Sequence, residues 1–151
     1  MKETVIGIDP GMTTGWAVLG SQVDSGTFNL KAHQSSPLWN LGTRLQKLIS
    51  QTRPELLVYE EPVARGMAAR SLNRQLGVII YICEYNLLPH YPVNPGTLKK
   101  YATGTGRADK ADMAQHALAR GWHVDDHNAV DALWLADYGR HVILPTMGDA
   151  P

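Results

Sequence analysis

Four acidic side chains sit where acids are least expected. Asp9 interrupts the apolar run "VIGIDPG", Glu60 finishes "LLVYE", Asp126 stands at the head of "HNAVDALWLADYG", and Asp131 lies inside that run among Val130, Ala132, Leu133 and Trp134. An ionised carboxylate against apolar neighbours is costly unless positive charge meets it. Asp126 reads first as a helix cap, because an aspartate ahead of a helix accepts the free N–H groups of the first turn. Asp131 resists that explanation: Trp134 and Leu135 follow it at i+3 and i+4, so it shares the apolar face of its helix. If the strands ending in Asp9 and Glu60 are neighbours and the last helix crosses them, Asp9, Glu60 and Asp131 converge. Converging carboxylates repel one another unless a hard divalent cation neutralises them, and oxygen-only ligands suit Mg²⁺, with Mn²⁺ able to substitute. Such a site can hold two ions about 4 Å apart and activate water for in-line attack on a phosphodiester. Metal-assisted phosphodiester hydrolysis is the reaction expected of it.

The elements that must position these residues follow from hydrophobic period and punctuation. "VIGID" and "WAVL" read as two strands joined by a turn around Pro10 to Gly15, and "SGTFNL" (Ser25 to Leu30) as a third. Ser36-Pro37 looks like a cap followed by proline at the first helical position, and Leu38, Leu41, Leu45, Leu48 and Ile49 recur at helical spacing until Arg53-Pro54. A short strand, Leu56 to Tyr59, then runs into Glu60 and Glu61, which alternation places on opposite faces. A helix is expected from about Ala68 to Leu88, a strand in "HYPV", a short helix after Asn94-Pro95, and a helix in "ADMAQHALAR" closed by Gly121. The last clear helix is capped by Asp125 or Asp126, with Gly139 past its end, and the tail beyond has too little pattern to assign and is expected to be mobile. This order predicts an α/β layer structure with a mixed sheet of about five strands flanked by helices, in one domain spanning residues 1–151.

Formal charge is zero, yet unevenly spread. Residues 62–110 carry Arg65, Arg70, Arg74, Lys99, Lys100, Arg107 and Lys110 against Glu84 and Asp109, a local balance of +5, while the residues before them sum to −1 and those after to −4. A basic centre between acidic flanks is the distribution expected if carboxylates gather for cations while the middle meets phosphate, although solvated helix faces would look the same on charge alone. "TGTGR" lacks the spacing of a nucleotide loop, and its glycines suit a close backbone approach to a DNA phosphate beside Arg107. His33, His90, His116, His123 and His141 show no ligand spacing, so zinc is not expected. Cys83, the single cysteine, is expected as a buried thiol, and Trp39, Trp122 and Trp134 as core. With no long apolar run and no leader at Met1-Lys2-Glu3, a soluble cytoplasmic protein with no membrane association is expected.

These residues also resemble a known family. "GIDPGMTTGWAV" is similar to the first strand of RuvC-type Holliday junction resolvases of the RNase H-like superfamily, "VYEEP" to the strand carrying their second acidic ligand, and "AVDALWLADYG" to their last helix. "RQLGVIIYI" resembles their long central helix, and "VNPGTLKKYATGTGRADKADM" the basic segment after it, so the resemblance runs from about Val5 to Gly139. It implies an RNase H-like fold and paired, Mg²⁺-dependent cleavage of four-way DNA junctions by a homodimer. It also implies that Asp9, Glu60 and Asp131 bind the metal, and that Lys110, with Lys99 or Lys100, holds the scissile phosphate. Read as an exposed residue at a helix start, Lys110 would need no such role. Arg65, Arg70, Arg74, Lys99, Lys100, Arg107 and Lys110 would contact backbone phosphates, and the apolar side of the 68–88 helix would pair two copies or serve as core. The small size resembles phage versions.

Two departures stand out. Bacterial members generally carry an aspartate three residues before the last one, where this chain has Asn128, whose amide oxygen can still face a metal. Asp126 is ranked ahead of His127 as the group that completes the site. The bacterial enzymes also place an aromatic wedge three residues after the second acid, where this chain has Val63. Rival readings are a less selective nuclease for forks, flaps or RNA–DNA hybrids, a catalytically inactive branched-DNA-binding module, and an actin-like ATPase, for which the chain is too short.

Overall fold

The computed structural model describes residues 3–31, 35–63 and 65–148. Five strands, β1 (Val5–Asp9), β2 (Thr13–Leu19), β3 (Val23–Asn29), β4 (Leu56–Glu60) and β5 (His90–Val93), form one sheet in the order β3-β2-β1-β4-β5. The first three are antiparallel neighbours, and β4 and β5 continue in parallel from β1. The mixed five-stranded sheet is thus the one the sequence predicts.

Strand alternation sorts the core into two layers. Val5, Ala17, Leu19, Leu56, Val58 and Val93 face one side, where they pack against α3 (Pro95–Thr103), α4 (Lys110–Ala119) and α5 (His127–Tyr138). Ile6, Ile8, Val18, Leu57 and Tyr59 face the other side, under α1 (Pro37–Thr52) and α2 (Met67–Tyr85). β1 and β4 are buried on both faces and therefore read as unbroken apolar runs, as central strands do. The punctuation works largely as expected. Pro37 sits in the first turn of α1, the Asn94 side chain accepts the Gly96 N–H at the start of α3, and Gly121 takes a left-handed φ of 84° after α4. Ser36 stands at the head of α1 without a capping hydrogen bond.

Some expectations are corrected. Trp39 is 68% exposed, because it lies off the Leu41, Leu45, Ile49 stripe that α1 buries, whereas Trp122 and Trp134 are core as expected. Gly139 follows the end of α5 as expected, but the tail beyond is not patternless: the chain continues through a π-turn, Gly139–Ile143, into α6 (Leu144–Met147). A Cβ at Gly139 would meet Val58 and Val5 side chains, so this glycine serves a close approach of helix to sheet. Cys83 is fully buried. His33 and the last three residues lie outside the described residues.

Candidate active site

The parallel register of β1 on β4 pairs Ile8 with Tyr59, so Asp9 and Glu60 follow side by side at the carboxyl ends of the two strands. Both continue the face of Val5, Gly7, Leu56 and Val58, the face α5 covers. Two glycines set how closely α5 lies there. A Cβ on Gly7 would overlap the Ala132 carbonyl oxygen, and one on Gly15, the partner of Asp9 in the β1–β2 ladder, would overlap the Asn128 carbonyl oxygen. The stretch from Asn128 to Ala132 is therefore seated directly on β1 and β2, with Asp131 inside it.

The electrostatics show the cost of this arrangement. Burial, then the charges of Glu60, Asp131 and Asp126, push the Asp9 carboxyl up to about 8, against a smaller opposing pull from Lys110. Glu60 is raised to about 7 by burial and by Asp131, with Lys99 opposing. Asp131 is raised to about 6 by burial, with His127, Lys99 and Lys110 opposing. None of these three carboxylates makes a hydrogen bond or ion pair with a described residue. Lys99 and Lys110 are thus the lysines whose fields reach the cluster, through space rather than by contact, while Lys100 is exposed and enters none of these shifts. Among the described residues, no three His, Cys, Asp or Glu side chains have closed to metal-holding distance. The donor set nonetheless fits a hard divalent cation: part-buried, uncompensated carboxylate oxygens on rigid elements.

Asp126 acts as a cap. Its Oδ1 accepts the Asn128 N–H at 2.8 Å and the Ala129 N–H at 3.4 Å, while its charge still reaches Asp9. Asn128, half-buried, faces Gly15 through its backbone. Lys110 opens α4 behind a capping box of Asp109 and Asp112. Arg65, Arg70, Arg74, Lys100 and Arg107 are all exposed, and Glu61 lies exposed beside Tyr59, away from the cluster's face.

Two buried polar residues outside the cluster escape reading from the sequence. Asp137, six residues beyond Asp131 on α5, is 2% exposed and is bound by Arg120, by the Tyr101 hydroxyl at 2.7 Å and by His141 at 3.3 Å. This group ties α3, which carries Lys99, and the end of α4, which carries Lys110, to α5. Gln75 on α2, also 2% exposed, accepts the Gly11 N–H at 2.8 Å. The only signal for either is a polar residue inside an apolar helical stretch.

A mixed sheet of this order with helices on both faces, and acids at the ends of β1 and β4 under a crossing helix, is an RNase H-like fold. Crossover junction endodeoxyribonucleases RuvC match it along most of its length. That of Citrifermentans bemidjiense is 30% identical over 145 residues, covering 87% of this chain and 88% of the relative. That of Caldicellulosiruptor saccharolyticus is 32% identical over 121 residues, covering 72% and 73%, and that of Endomicrobium trichonymphae is 32% identical over 123 residues, covering 72% of this chain and 64% of the relative. The chain belongs to the RuvC family of crossover junction endodeoxyribonucleases. No family model matches it. Among solved structures, Thermus thermophilus RuvC in complex with Holliday junction substrate superposes with a TM-score of 0.77 at 23% identity, covering 97% of this chain and 96% of the other. The yeast mitochondrial Holliday junction resolvase gives 0.65 at 13% identity, covering 89% and 76%, and both likenesses speak to the fold.

Proposed function

We propose that this chain resolves four-way DNA junctions by paired, Mg²⁺-dependent phosphodiester hydrolysis, with Asp9, Glu60 and Asp131 as the metal ligands. The observation that carries the reading is the convergence of three raised carboxylates, without a hydrogen-bond or ion-pair partner among the described residues, under the fields of Lys99 and Lys110. Bound divalent ions would supply charge neutralisation and an activated water for attack on the phosphodiester, Mg²⁺ being the hard cation and Mn²⁺ able to replace it. The chain's own residues do the rest. Lys110 and Lys99 attract and orient the scissile phosphate, Asp126 holds the first turn of α5 and adds negative field, and Asn128 offers a neutral amide oxygen where a further charge would deepen the repulsion. Arg65, Arg70, Arg74, Lys100 and Arg107 bind flanking phosphates, giving affinity that depends on salt and DNA shape.

A junction with two-fold symmetry requires two sites, and thus a homodimer. The outer face of α1 and α2 suits a second copy: exposed Trp39, Tyr81 and Tyr85 border an apolar groove of about 850 Å³. Among the described residues no helix is long and apolar enough to cross a membrane, and an enzyme of cellular DNA would work in the bacterial or phage-infected cytoplasm. The phage-type reading rests on the compact spacing of the motifs.

The test is cleavage of a labelled mobile four-way junction, beside linear duplex, fork and hybrid controls, by wild type and Asp9→Asn in Mg²⁺. Paired symmetric nicks that vanish in the variant while junction binding survives are expected. Failure to cut any substrate in Mg²⁺ or Mn²⁺ would leave a junction-binding module, and equal cutting of all substrates would remove the selectivity.

A further inference from the structure

Gln75 is an unexpected group for its place. It lies in α2 directly after Arg74, in a buried layer otherwise made by Ile79 and Cys83. A carboxamide there is unfavourable unless its polar atoms are bonded, and a leucine would fill similar space with no such demand. Its Oε1 accepts the Gly11 N–H at 2.8 Å, and its Nε2 donates toward the Met12 sulfur at 3.8 Å. Both partners belong to the turn that leaves Asp9. That turn is held at two other points: the Gly11 carbonyl accepts the hydroxyl of fully buried Thr14 at 2.7 Å, and the Met12 carbonyl accepts the Leu30 N–H at 2.9 Å. These two bonds come from the start of β2 and from the residue that follows β3. Gln75 ties the turn to a separate element, the helix whose exposed first half carries Arg70 and Arg74 and whose outer face carries Tyr81 and Tyr85.

We propose that Gln75 is a positioning residue that couples the placement of α2 to the Asp9 turn. DNA phosphates on Arg70 and Arg74 hold α2, Gln75 holds Gly11, and the turn then fixes where the Asp9 carboxylate stands relative to Glu60 and Asp131. The inference rests on the nuclease reading of that cluster.

The test compares wild type with Gln75→Met, which keeps length and apolar volume but loses the amide acceptor, and with Gln75→Leu as a second chance at a well-folded variant. Ile79→Val, one turn further along α2, controls for loosened packing. Losing one buried hydrogen bond should speed Gly11 amide hydrogen exchange about tenfold in the metal-free protein, leaving the β1–β4 ladder amides unchanged. Mg²⁺ titration followed at amides around Asp9 should show about tenfold weaker binding, and single-turnover cleavage at saturating junction should fall by a similar factor with junction Kd within about twofold. The Ile79→Val control should show none of these effects. Unchanged Gly11 exchange and Mg²⁺ affinity in both Gln75 variants would overturn the proposal, as would effects reproduced by Ile79→Val. Gly11 exchange and the Mg²⁺ titration do not depend on turnover. A wild type that binds Mg²⁺ but cuts nothing would therefore refute the nuclease reading, and the two amide measurements would still decide the role of Gln75.

Discussion

Replacing Asp9 with asparagine should stabilise the metal-free protein while abolishing its activity, and the gain should grow with pH. The Asp9 carboxyl is raised from 3.8 to about 8, chiefly by burial and then by Glu60. Below about pH 4 both the folded and the unfolded chain hold the proton, so the native carboxylic acid imposes no penalty. As pH rises toward 8, the unfolded chain releases the proton while the folded chain keeps it, and stability falls. At pH 7 the gap from the unfolded value is about three pH units, worth roughly 4 kcal/mol at ~1.4 kcal/mol each. Residual solvent contact at the strand end screens this to roughly 1–3 kcal/mol. For a chain of this size that is a rise in Tm of roughly 3–10 °C. Thermal melts of wild type and Asp9→Asn in EDTA, from pH 4 to pH 8, measure it directly. The difference should be near zero at the acid end and largest near pH 8, and adding Mg²⁺ should raise the wild type alone. A variant no more stable than wild type at pH 8 in EDTA would refute the idea that uncompensated repulsion and burial strain the site.

Three further outcomes follow from other contacts. Arg120→Ala should lower stability by roughly 2–3 kcal/mol, because buried Asp137 keeps only Tyr101 and His141, and a double-mutant cycle with Asp137→Asn should recover most of the loss as coupling. Gly15→Ala should push the first turn of α5 off the sheet, lowering stability by roughly 1–3 kcal/mol and cutting activity at least as severely, since Asp131 moves with that turn; wild-type activity in this variant would contradict the close approach. Neutralising Arg70 and Arg74 together should weaken junction, duplex and fork binding alike and flatten the slope of log affinity against log salt by about two, measured by titration across salt concentrations.

Much of the layer plan was legible, because the unbroken apolar runs of β1 and β4 mark central strands covered on both faces and the helical stripe of α1 states which of its faces is buried. The carboxylates were legible for the same reason in reverse: Asp9 and Asp131 break an apolar pattern that no local cap or turn explains. What stayed hidden was tertiary. Gln75 is explained by an N–H 64 positions away, and Asp137 by Arg120, a residue that lies past the end of its own helix. Trp39 misled because residue type was weighed above its place off the stripe, and Gly139, rightly read as following the helix, has a second role in a close contact with Val5 and Val58 that no local pattern announces.

The hidden residues share a property with the visible ones. Asp9, Glu60 and Asp131 are part-buried acids with no hydrogen-bond or ion-pair partner among the described residues, whereas Asp137 is a buried acid with several, and both kinds lie along one helix and its neighbouring strands. Polar burial of the second kind locks α3, α4 and α5 into one orientation; polar burial of the first kind leaves a deficit of positive charge at a fixed place. A deficit can be held open only by a scaffold that does not relax around it. The satisfied cluster at Asp137 and the bonded turn at Gly11 fix the elements around the carboxylates, which is the scaffold that their proposed role as cation ligands requires.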